Sequence, residues 1–245
     1  MAVGRAIRLR REAWGFAIGS LLFLVGAVPS YQRAVGEAWT NATFFVGALF
    51  FTAAALIQLA LSGRKPPRRG ASRPDRFDWW AAAVQFAGTL FFNVSTTEAL
   101  IVALNDQARV GDGWRPDAFG SICFLVSSGL AVVATVDRDR LWDPRARTWH
   151  GTWLNLLGSV FFGLSAIGAY TLPDTGDTLS LLWANLGTLL GAACFLVAAV
   201  LSRRSIPMKP RRDRAARAPG SSEPGTREPG TPESGTHESG VGGRA

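Results

Sequence analysis

One carboxylate lies well inside the long apolar stretches of this chain: Glu98, which closes the run Asn93-Val94-Ser95-Thr96-Thr97-Glu98. An ionisable group at membrane depth costs a few kcal/mol on insertion scales, so it faces the bundle interior, a cavity or a partner. On a helix Ser95 is its nearest neighbour, while Asn93, Ser95 and Thr97 cannot all share one face. Two readings follow. Glu98 could bind a cation or proton in a cavity open to the outside, or it could sit near the outer interface, bonded to Ser95 or paired with Arg109 or Arg115. Three amides complete the polar inventory: Gln85, Asn155 and Asn185 could line a shared polar core or simply bond between helices.

Other chemistries lack parts. His150 and His237 both lie outside the apolar stretches, which leaves no buried histidine pair for haem and no Ser-His pair for hydrolysis. Cys123 and Cys194 read as small buried hydrophobes, because a metal site needs more ligands than lie near them. There is no Gly-rich nucleotide loop followed by Lys. The expectation is therefore no catalytic residue, no metal and no cofactor.

The elements carrying these side chains are set by how charge is distributed. The 245 residues are 48% hydrophobic and 18% charged with a net charge of +8. Those averages would suit a soluble domain, but the charges gather before residue 14, in short loops and after residue 202. Between them run six apolar segments, at about 14–31, 42–62, 79–104, 117–136, 152–172 and 181–202. Each is long enough for a helix to cross roughly 30 Å of hydrocarbon. A soluble enzyme is excluded.

Basic residues set the orientation. Arg5, Arg8, Arg10 and Arg11, the loops at 64–76 and 138–147, and the tail hold 23 of the 26, leaving Arg33, Arg109 and Arg115 on the other side. Both termini are thus expected in the cytoplasm. Trp14, Trp79, Trp80, Trp149 and Trp153 would form one interfacial belt, and Trp39, Trp114 and Trp183 the other. Trp142 falls in a loop, where it could cap the bundle. The first segment also resembles a signal peptide, but its match to the fifth makes it a member of the domain.

That match belongs to an internal period. Every segment carries Gly followed four residues later by Phe: Gly19/Phe23, Gly47/Phe51, Gly88/Phe92, Gly120/Phe124, Gly158/Phe162 and Gly191/Phe195. Odd segments recur at steps of 69 and 70 residues, even ones at 73 and 71. Segments one and five share Trp14/Trp153, Ser20/Ser159, Ala27/Ala166 and Tyr31/Tyr170, and segments four and six share Gly-x-x-Cys-Phe-Leu-Val. The period predicts an all-α fold, a six-helix transmembrane bundle of three tandem, parallel-oriented helical hairpins at about 13–62, 78–136 and 150–204. Glycine would admit a close helix and phenylalanine fill the adjoining groove. Glu98 falls opposite Pro29 and Gly168 in this frame, so the carboxylate is unique to the middle repeat.

The segments WGFAIGSLLFLVGA, WLNLLGSVFFGLSA and WANLGTLLGAACFLVAAVL resemble the YrhK-like family of small bacterial membrane proteins. WRPDAFGSICFLVSSGLA is similar to a segment of its multi-span actinobacterial members, and the likeness extends from about residue 12 to 204. It implies an integral membrane protein, with no family catalytic residues to carry over. The Arg-, Ala- and Gly-rich composition suits a high-GC bacterium.

The reading is therefore a multi-pass protein of the bacterial inner membrane, non-enzymatic and structural, sensory or scaffolding, with a small-solute or ion transporter or channel as the alternative. Residues 1–12 form a basic cytoplasmic arm, 13–204 the membrane domain, and 205–245, with degenerate repeats from Glu223, a disordered tail. Its expected partners are the lipid bilayer and anionic headgroups at the basic face, not nucleic acid. The sequence leaves the oligomeric state open.

Overall fold

The computed structural model describes residues 2–63, 65–68, 70–105, 114–136, 147–172, 175 and 177–204. The expected tail, the cap at Trp142 and a pairing with Arg109 lie outside the described residues. Seven helices occur among the described residues: α1 Ala2–Gly26, α2 Pro29–Val35, α3 Glu37–Ser62, α4 Arg73–Leu104, α5 Trp114–Val136, α6 Arg147–Gly168 and α7 Leu181–Arg204. There is no strand among them, only an isolated bridge between Thr171 and Thr178. Five helices are long and apolar enough to cross a membrane, six if α1 and α2 are one broken span. The described residues form an all-helical fold of multi-pass membrane type.

The first apolar segment does not run unbroken to residue 31. Pro29 has no N–H and pushes Val28 out of the helical region, to φ −79° and ψ 118°, so α1 stops at Gly26 and α2 leaves at 78°. Gly36, at φ +83°, makes the next turn, a backbone conformation that a side chain would strain. The Tyr31/Tyr170 match of the sequence therefore covers two different structures. Tyr31 sits on α2 and shares a 2.7 Å hydrogen bond with Thr43, whereas Tyr170 follows the end of α6 in a turn. Farther on, Ser72 caps α4 by accepting from the Asp75 N–H while its hydroxyl donates to the Asp75 carboxylate at 2.6 Å. Trp79 Nε1 donates to the Gly63 carbonyl at 3.0 Å, tying the start of α4 to the end of α3.

The six long helices close a ring. α1 packs on α3, α3 on α4, α4 on α5, α5 on α6, α6 on α7, and α7 returns to α1. Hereafter the near end is where α1, α4 and α6 begin, and the far end where they finish. Large aliphatic residues such as Leu21, Leu56, Ile101, Ile122 and Ile167 are exposed on the outside, while Ala48, Ala54, Ala134, Ala192, Ser20, Thr89 and Ser159 are buried within. This distribution suits lipid, where exposed leucine costs nothing and close helix packing favours small residues inside.

The buried core holds all six phenylalanines of the Gly-x-x-x-Phe motif. Phe23, Phe92 and Phe162, from α1, α4 and α6, form a triangle with ring centroids 5.8–6.4 Å apart. Phe51, Phe124 and Phe195, from α3, α5 and α7, form a second at 5.7–6.4 Å. Contacts of 4.9–5.4 Å join the two triangles within each helix pair. Most rings meet edge to face, the arrangement favoured by the aromatic quadrupole.

Candidate functional site

Helix direction divides the two triangles between the ends. In α3, α5 and α7 the phenylalanine follows its glycine toward the near end, so Phe51, Phe124 and Phe195 form the near layer of the plug. Above Phe51 and Phe195 lies a cavity of about 210 Å³ whose walls come from all six long helices. A space bounded by every member of a closed ring lies on its axis.

The polar wall of this cavity follows the glycine frame. Three residues before the first glycine of each helix pair stand Phe16, Gln85 and Asn155, and eleven residues after the second stand Gln58, Ala131 and Ser202; all six line the cavity. Glu12, seven residues before Gly19, adds a carboxylate. Ser127 and Ser128 complete the polar set. Ser127 Oγ donates to the Ala81 carbonyl at 2.8 Å, joining α5 to α4, while Ser128 and Ser159 hydroxyls meet at 2.8 Å between α5 and α6. Gln58 Oε1 is buried with no hydrogen-bond partner, and no hydrogen bond or ion pair joins Glu12 to another described residue.

The structure brings two of the expected site residues together, Gln85 and Asn155, and distributes the rest. Asn93 Nδ2 donates to Thr52 Oγ1 at 2.7 Å across the α3–α4 contact, and Thr52 in turn donates to the Ala48 carbonyl at 3.0 Å. Asn185 lines a far-end groove with Gln32, Arg33, Glu37 and Asn41. Ser95 and Glu98 are half-buried on α4 and line neither space. Glu98 Oε2 is buried without a hydrogen-bond partner, and no ion pair joins it to the exposed Arg115.

The motif glycines and phenylalanines act in exchanged pairs. A Cβ built at Gly19 would meet the Phe51 ring at 3.1 Å, and one at Gly47 the Phe23 ring at 2.8 Å. Gly88 and Gly120 receive Phe124 and Phe92, at 2.8 and 3.0 Å, and Gly158 and Gly191 receive Phe195 and Phe162, at 2.8 and 2.6 Å. Each ring fills the notch left by the other helix of its pair. The hydroxyls beside the glycines serve in helix contacts, as when Ser121 Oγ donates to the Phe162 carbonyl at 3.3 Å. Thr89 Oγ1 instead donates to the Phe86 carbonyl of its own helix at 2.7 Å, and the fully buried Ser20 hydroxyl finds no partner.

Sequence reasoning missed Glu12, Gln58, Ser127, Ser128 and Ser202 as cavity residues. The signal was present in their fixed distance from the motif glycines, but Glu12 borders the basic arm and reads as solvated. No group of three or more His, Cys, Asp or Glu able to hold a metal occurs among the described residues. Comparison of the chain with protein-family models, with curated proteins and with solved structures returned no match.

Proposed function

We propose that this chain is a non-enzymatic, multi-pass protein of the bacterial inner membrane, of structural, sensory or scaffolding type, with both termini in the cytoplasm. It is built from three tandem YrhK-like hairpins whose shared core closes the axis of the bundle. The observation that carries the reading is the double triangle of phenylalanines, which fills the ring where a transport path would have to pass. The equal Gly–Phe exchange within α1–α3, α4–α5 and α6–α7 supports a threefold hairpin origin, and the 23 to 3 division of basic residues supports the orientation.

A transporter would need a hydrated route linking its polar residues. Gln85 and Asn155 lie by the near-end cavity, Asn185 by the far-end groove, and Glu98 by neither. In proteoliposomes the full-length protein is expected to leave ion and small-solute permeability at the level of empty vesicles. Flux through the wild type that Glu98→Gln abolishes would overturn the reading in favour of transport.

A further inference from the structure

The near-end cavity presents an unusual chemical imbalance. The near end of the molecule is rich in arginine, with Arg5, Arg8, Arg10, Arg11, Arg73 and Arg76 in the described helices, yet among the described residues no Lys, Arg or His lines the cavity. Its one ionisable group among the described residues is the Glu12 carboxylate. The hydroxyl protons of Ser127 and Ser202 are committed to the carbonyls of Ala81 and Ala198, at 2.8 and 2.9 Å. The carboxylate and Gln58 Oε1 remain as acceptors unmatched by any described residue. The amides of Gln58, Gln85 and Asn155 also bring N–H donors, so it is the Glu12 carboxylate that disfavours anions and favours positive charge, while the buried Gln58 Oε1 calls for a hydrogen-bond donor, because a buried acceptor left unmatched costs its desolvation.

The apolar wall narrows the class. Phe16, Phe51 and Phe195 bound the same space. Aromatic faces attract organic cations through the ring quadrupole, the means by which quaternary ammonium groups are recognised. A divalent metal does not fit one carboxylate beside amides and aromatic rings, since such ions require several oxygen ligands. At about 210 Å³ the space exceeds a benzene-sized cavity of about 150 Å³ and falls short of the roughly 300 Å³ at which drug-sized sites begin.

We propose that the near-end axial cavity binds a small organic ammonium ion, with Glu12 as counter-ion, Gln58 as hydrogen-bond acceptor and the rings of Phe16, Phe51 and Phe195 as its apolar walls. The ammonium can belong to a free amine or to a lipid headgroup. The site goes beyond the sealed-core reading and does not depend on which way the protein faces.

The test is calorimetric titration of the full-length protein, in nanodiscs of phosphatidylglycerol alone, with tetramethylammonium, choline and ethanolamine chlorides, and with sodium chloride as control. Saturable binding of an organic cation is expected, weakened about tenfold or more by Glu12→Gln, the loss expected when a charged hydrogen-bond partner is removed. Glu37→Gln, in the far-end groove, is expected to leave it unchanged. Should Glu12→Gln fail to fold, Gln58→Glu supplies the reading, since a second carboxylate must tighten binding. Weaker apparent binding in discs that also contain phosphatidylethanolamine, by competition, identifies a headgroup as the source; unchanged binding identifies a free amine. No saturable binding of any organic cation, equal binding of sodium, or binding indifferent to Glu12→Gln and Gln58→Glu would overturn the proposal.

Discussion

Phe23 on α1 lies across the backbone of Gly47 on α3, so close that a Cβ at Gly47 would stand 2.8 Å from the Phe23 ring. The reciprocal contact, Phe51 over Gly19, makes the pair a mutual insertion. Rings of Phe23 and Phe51 then meet 5.4 Å apart on the axis. The same residues that hold two helices together therefore also close the centre of the ring. That relationship makes the coupling measurable. Gly47→Ala is expected to destabilise the wild type by about 1–3 kcal/mol, as overpacking does, and to cost less in a Phe23→Ala background by a coupling of about 0.5–3 kcal/mol. A double-mutant cycle by reversible unfolding in detergent checks it; strict additivity would refute the insertion.

Glycines at close backbone contacts are expected to differ sharply from glycines that face open space on the long helices. At Gly187 a Cβ would meet the Phe161 carbonyl at 2.6 Å and the Ser165 N at 2.7 Å, backbone atoms that cannot move aside. At Gly129 it would meet nothing within 4 Å. Gly187→Ala should lower stability by about 2 kcal/mol or more, whereas Gly129→Ala should be neutral or stabilising by up to about 1 kcal/mol, the helix-propensity gain. Thermal unfolding of the two variants side by side distinguishes them.

Packing at the plug predicts the cost of opening it. Phe162 touches Phe23, Phe92, Phe124 and Phe195 and is buried. Phe162→Ala is expected to cost about 3–5 kcal/mol, the usual range for truncating a buried aromatic, and Phe162→Leu clearly less. A Phe162→Ala variant as stable as the wild type would show that the rings do not form one core.

Much of this core was legible in the sequence because membrane helices announce themselves through length and uniform apolarity, and because the Gly–Phe spacing recurs in every segment. The ends of helices were less legible. Pro29 broke the first segment, a local effect of a missing N–H that hydropathy does not register, and the Tyr31/Tyr170 match gave no warning. The cavity was half visible. Gln85 and Asn155 stood out as amides in apolar runs, but Glu12 borders the arginine-rich arm and Gln58 lies near a helix end, where polar residues are ordinary. Only ring closure, with α7 against α1, brings them to one space.

Between α3 and α4, the Asn93–Thr52 hydrogen bond of 2.7 Å is a side-chain polar link across the junction of two helix pairs, and Thr52 Oγ1 also lies 3.4 Å from the Thr89 carbonyl. Thr52→Val keeps the shape and removes the acceptor. It is expected to cost about 0.6–2 kcal/mol, the range for interhelical hydrogen bonds in membranes, while Ser62→Ala, an exposed hydroxyl bonded within its own helix to Gln58 at 3.1 Å, should cost less than 0.5 kcal/mol. Equal losses for the two would remove the link from the account.

The closed axis is tested most directly by thiol accessibility from the two faces of the membrane. In a Cys123→Ala, Cys194→Ala background, one variant carries Gln85→Cys in the near-end cavity and a second carries Thr175→Cys, an exposed far-end position. Oriented vesicles are treated with a membrane-impermeant maleimide on one face at a time. The account predicts labelling at position 85 only from the near-end face and at 175 only from the opposite one. Labelling of position 85 from both faces, or from the Thr175 face alone, would contradict a core sealed by the six phenylalanines.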